Sequence, residues 1–147
     1  MGERAVELFT QLRPQFLSRL DEVREALDES YQGLDPASAH ERFEMLVDRY
    51  ESYLAESDVD GHRRFLRRWL ALRLAEGRSP ESVLHVLVAV GDVIVQVSRN
   101  NLPPSASTLA LVRELQRLTY VTARLVVDVL ADDLERKSAS ASKRGEA

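Results

Sequence analysis

The side chains of this sequence that titrate near neutral pH or offer a nitrogen or sulfur ligand to a metal are few: His40, His62 and His85, with no cysteine in the chain. The histidines stand 22 and 23 residues apart, so no two share the i,i+4 spacing that seats a pair of imidazoles on one metal ion. Missing thiols exclude disulfides, thiolate metal centres and a cysteine nucleophile. The six glycines, at positions 2, 33, 61, 77, 91 and 145, are too scattered for a dinucleotide fingerprint or a phosphate-cradling loop, and no G-x-S-x-G elbow presents a serine. The residues therefore point to no catalytic group, no metal and no resident cofactor.

One polar group has chemical content, and it lies in the apolar run VLHVLVAVGDVIVQV. On a helix turning about 100° per residue, Glu81, His85, Asp92 and Gln96 fall within an arc of about 60°. They read either as a polar pocket lined by His85, Asp92 and Gln96, with His85 as a proton-sensitive group, or as the solvated edge of a largely buried helix, and the second reading is preferred. Gly91 in the middle costs about 1 kcal/mol relative to alanine, which implies close approach of another helix or of a ligand, with helix packing preferred. The β-branched residues around Gly91-Asp92 also suit a hairpin, but Ser79-Pro80-Glu81 is a helix start.

Five helical segments must position these groups. Phe9, Leu12, Phe16, Leu20, Val23 and Leu27 step by 3 or 4 from about Arg4 to Ser30, with Pro14 implying a kink or a start in the first turn of a second piece. Asp35-Pro36 opens a second helix with the stripe Ala39, Phe43, Leu46, Tyr50 and Leu54. A third carries Phe65, Leu66, Trp69, Leu70 and Leu72 and ends at Gly77, with His62 and Arg73 on its apolar arc. The fourth runs from Pro80 to about Ser98. The fifth, from about Ser107 to Arg136, carries a 3-4 seam of Thr108, Leu111, Leu115, Leu118, Thr122, Leu125 and Val129, beside a second apolar row of Val112, Val126 and Leu130, with Val121 and Val127 broadening the surface.

So much apolar surface on one helix predicts a homodimer whose interface is Leu111, Leu115, Leu118, Leu125 and Val129. The tail KSASASKRGEA, residues 137–147, reads as a disordered end or linker after a domain spanning 1–136. Arg63, Arg64, Arg67 and Arg68 make a local basic patch, read as a solvated face paired with the abundant acids. At 147 residues, net charge −4, 44% hydrophobic and 30% charged, the chain has the composition of one soluble globular domain. Its acidic balance argues against nucleic acid as a partner. The N-terminus lacks a signal-type apolar core and Asp92 interrupts the longest charge-poor stretch, so the expected location is cytoplasmic, without a membrane span.

The stretch RRFLRRWLALRLAEGRSPESVLHVLVAVGDVIVQV, followed by a proline-broken loop and a long amphipathic helix, resembles the N-terminal helical sensory domain of Rsb-type stressosome co-antagonists. Leu70, Arg73, Leu74, Glu76, Gly77, Ser79, Glu81, Val83 and Leu84 stand in that family's helix–Gly–cap–helix pattern. The resemblance implies an all-α, globin-like bundle of about five principal helices without a cofactor. It further implies a dimer that signals through its last helix to a protein partner. The expected function is a non-enzymatic sensory or protein-interaction domain in bacterial signalling. The alternative is a haem or small-molecule sensor using His85 or His62 as axial ligand.

Overall fold

The computed structural model describes residues 3–27 and 33–145 and forms an all-α bundle of five helices, with no strand among the described residues. They are α1 (Glu3–Leu27), α2 (Pro36–Glu56), α3 (Val59–Ala75), α4 (Pro80–Asn101) and α5 (Ala106–Gly145). The expected end of the first helix near Ser30 lies outside the described residues.

Local chemistry sets the boundaries. Asp35 Oδ1 accepts from the Ser38 amide at 2.9 Å, Ser79 Oγ from Ser82 at 3.1 Å and Ser105 Oγ from Thr108 at 3.1 Å, each satisfying an amide that a helix start leaves without a partner. The two Ser38 donors, backbone and hydroxyl, hold the Asp35 carboxyl below its ordinary value. Pro36 and Pro80 occupy first-turn positions where no amide donor is needed. Gly77 closes α3 at φ +89°, a left-handed conformation that a Cβ would strain.

Pro14 does not divide the first helix. It sits exposed inside an unbroken α1, while Phe9 and Phe16, one on each side of it, pack ring to ring at 4.8 Å in the core. An interior proline costs about 3 kcal/mol, and burying two phenylalanines offsets that at roughly 1.5–3 kcal/mol each. The hairpin alternative for 80–101 also fails, because α4 is one helix straight through Gly91.

α4 is the central helix, packed against α5 and α1, while α2 lies on α1 and α3 leans on α5. It is the one described helix long and apolar enough to cross a membrane, with mean hydropathy 1.5, and half of that window is buried inside the bundle. At Gly91 α5 packs tightly on α4: an added Cβ would overlap the Thr119 hydroxyl and stand 2.9 Å from Thr119 Cγ2. The expectation of close helix approach at this glycine therefore holds, and Thr119 is what approaches. Gly91→Ala should cost about 1–3 kcal/mol despite alanine's better helix propensity. Most of that loss should return in Gly91→Ala/Thr119→Ala, as read from denaturant midpoints; a single variant as stable as the parent would contradict this packing.

At 40 residues α5 is about 60 Å long, while no other helix exceeds 25 residues. The disordered tail expected from residue 137 is not what forms: α5 continues as helix to Gly145. From Ala131 to Ser142 every side chain is exposed except the half-buried Asp133, which pairs with Lys137 at 3.0 Å. Alanine and i,i+4 ion pairs favour helix where no core does. Residues 146–147 lie outside the description.

Candidate functional site

The polar groups drawn together inside the bundle come from three helices, beside a gap on a fourth. α2 supplies Arg49 and Tyr50, α3 supplies His62, α4 contributes the gap at Gly91, and α5 supplies Thr119 and Thr122. His62 reaches this position because Asp58 caps α3, its Oδ1 accepting from the Gly61 amide at 2.9 Å, so the next side chain points inward from the first turn.

His62 is 1% exposed. Its Nδ1 accepts from Arg49 Nε at 3.3 Å, which leaves the proton on Nε2, 2.8 Å from Thr122 Oγ1, and Nε2–H donates there. Tyr53 packs on the imidazole at 5.5 Å between centroids. Burial, aided by the Arg49 cation, pushes the His62 pKa down to about 4, so the ring is neutral at pH 7. The Tyr50 hydroxyl is buried beside the Thr119 and Thr122 side chains, with no hydrogen bond of good geometry among the described residues. Burial pushes its pKa up to about 12, with the Thr119 and Thr122 side chains pulling the other way. Thr119 itself donates to the Leu115 carbonyl at 3.0 Å.

This arrangement ties α2, α3 and α5 together through His62. A general acid or base needs a free proton-transfer position facing a substrate, and both imidazole nitrogens of His62 are occupied by protein groups. The same occupancy leaves no nitrogen for a haem iron. His85 is exposed on the outside of α4, so neither histidine named for the haem alternative fits an enclosed axial position. Among the described residues no three histidine or acidic side chains are grouped to hold a metal ion.

The polar stripe of α4 does not enclose a pocket. Glu81, His85, Asp92 and Gln96 are all exposed, the solvated edge of a helix whose other faces are covered. Gln96 lines only an open groove with α1, beside Gln15 and Glu22.

The seam expected to join two copies lies inside one copy. Leu111, Leu115 and Leu118 are 0% exposed and Leu125 is 5% exposed, all in the chain's own core, with Val129 half-buried against it. The dimer interface drawn on these five residues is thereby overturned: a 3-4 stripe shows that a face is covered and does not show by what. The opposite face of α5 is the uncovered one. Leu109, Tyr120, Val127 and Leu134 are 51–66% exposed and fall within about 40° of arc, with half-buried Ala123 and Leu130 alongside.

A second polar cluster, which sequence reasoning left unassembled, closes the α3–α4 junction. The Glu76 carboxylate meets Arg42 at 2.7 Å, Arg73 at 3.3 Å and Arg78 at 3.2 Å. Burial would raise the Glu76 pKa, but the three arginines outweigh it and hold the group below its ordinary value. Arg73 also lies over the Trp69 ring at 4.7 Å, which explains its place on an apolar arc. Arg42 and Arg78 carried no signal, since a salt-bridge partner far along the chain leaves no local spacing. In the basic patch, Arg64 and Arg67 are exposed and face Asp58 and Asp132 at 4.0 and 3.6 Å, whereas Arg68 is exposed without an ion pair among the described residues and Arg63 is half-buried, so the expected solvated, paired face holds for two of the four.

No family model matches the chain, and neither a curated protein nor a solved structure matches it.

Proposed function

We propose that this chain is a non-enzymatic regulatory domain, a sensory or protein-interaction module of a signalling system, that works as a homodimer and passes its state along α5. The reading rests on the double character of α5. Its inner face is the spine of the core, while its outer face carries Leu109, Tyr120, Val127 and Leu134 in the open and the helix runs on past the bundle. A helix anchored in a core at one end and free at the other converts repacking around it into displacement of its far end. The His62–Thr122 hydrogen bond ties that spine to α3 and, through Arg49, to α2. The resemblance to stressosome co-antagonist sensory domains supports the same reading, since its Arg73, Glu76 and Gly77 build the α3–α4 junction.

Light scattering on the eluting protein tests this directly. The expected particle has twice the chain mass, and Val127→Glu should halve it while leaving the helical circular dichroism intact, because Val127 is 53% exposed. A wild-type particle of single chain mass at every concentration, or a Val127→Glu variant that stays dimeric, would reject the outer face of α5 as the interface.

A further inference from the structure

The charges of α5 are divided along its length. Its first half carries Arg113, Arg117 and Arg124 against Glu114, and its second half carries Asp128, Asp132, Asp133 and Glu135 before the chain turns basic again at Arg136. Arg113, Arg117, Arg124, Asp128 and Glu135 are in no ion pair among the described residues, so both signs of charge stand open along the exposed face of one helix. All of these but Arg113 flank the exposed row of Tyr120, Val127 and Leu134 on one side, and Arg113 lies within the row.

We propose that the partner on this face is the α5 helix of a second copy running antiparallel, in a register centred near residue 125. The inference rests on the dimer reading above and adds direction and register to it. In this register Tyr120 packs on Leu130 of the second copy, Val127 on its Ala123 and Gln116 on its Leu134. Arg124 then faces Asp128, and Arg117 faces Glu135, of the opposite chain, and each pair occurs twice by symmetry. A parallel pairing would instead set this charged flank against the opposite flank of the partner, where Ala123 and Leu130 stand, and leave the arginines and acids without opposite charges to meet. The antiparallel form also covers the stretch from Ala131 onward. That stretch is helical yet without core contacts, and its length alone makes it marginal in water.

Because the protein has no cysteine, introduced thiols report geometry cleanly. Gln116→Cys and Leu134→Cys, each checked for dimer mass by light scattering, should give little covalent dimer alone on mild oxidation and abundant covalent dimer when mixed. Thiols 18 residues apart on a helix are about 27 Å apart, too far for self-crosslinking across an antiparallel axis. A second measurement uses charge. Arg117→Glu and Glu135→Arg should each weaken dimerisation by about tenfold, and the double variant should recover to near the parent. That recovery cannot arise within one chain at this separation. If each cysteine variant crosslinks with itself, or the double charge variant is weaker than both singles, the antiparallel register is wrong while the dimer stands. Single chain mass for the unmodified protein would overturn the dimer reading itself, and this inference with it.

Discussion

Leu118→Glu should unfold the domain, and should not yield a folded monomer. Leu118 has no exposed surface and sits among Leu111, Leu115 and Leu125 in the core that α5 shares with α4 and α1. Removing a buried leucine side chain costs about 2–5 kcal/mol, and a carboxyl in its place adds several more because nothing there can pair with it. Domains of this size are stable by roughly 5–15 kcal/mol, so most or all of the folded population is lost. The expected thermal melt by circular dichroism is a broad, early loss of helix, against a parent-like melt for Val127→Glu. A Leu118→Glu protein melting cooperatively near the parent temperature would show that the seam is not where this fold places it.

The second large effect is a loss of stability on mild acidification, centred on His62. Its pKa falls from 6.5 in the unfolded chain to about 4 in the fold, so the folded state resists a proton that the unfolded state accepts. The associated stability is complete above pH 6.5, declines as pH falls from 6.5 to 4, and is gone below that. At about 1.36 kcal/mol per pKa unit the drop is about 3 kcal/mol. Carboxylates such as Glu76, held below their ordinary range, add their own loss at lower pH. Urea unfolding at pH 7 and pH 4.5 of the parent and of His62→Gln separates the two, since glutamine keeps a donor toward Thr122 without titrating. The variant is expected to lose the part of the slope between pH 6.5 and 4.5; an unchanged slope would mean that His62 is not desolvated.

How much of this was legible in the sequence divides by the range of the interaction. The Asp35-Pro36 and Ser79-Pro80 starts and the Gly77 stop depend on neighbours within four residues, and the helices they bound are the helices observed. Whether a stripe is covered can also be read, which is why Leu111, Leu115 and Leu118 were correctly seen as hidden. What covers it cannot, because α4 and a second copy of α5 would select the same leucines. Of the outer row only Val127 stands out in the sequence, as part of the excess apolar surface of the last helix; Leu109, Tyr120 and Leu134 are too widely spaced, with charges between them, to be read with it. His62 did leave a trace, as a polar residue on the apolar arc of α3, and so did Thr122 within an aliphatic seam. Pairing the two needed the fold, since they are 60 residues apart. The helix beyond residue 137 is not legible because low apolar content says only that a stretch lacks a core, while its alanines still favour helix.

The passage of α5 from core to solvent has a kinetic counterpart. Backbone amides between Leu111 and Val126 can exchange their hydrogens with solvent only when the whole bundle opens, whereas those beyond Ala131 need only the fraying of a single helix. One continuous helix should therefore show a gradient of exchange lifetimes over several orders of magnitude, slow at Leu118 and fast at Ser138. The position at which the lifetimes fall marks where the fold stops holding the helix, and any partner that engages the far end moves that position toward the C-terminus.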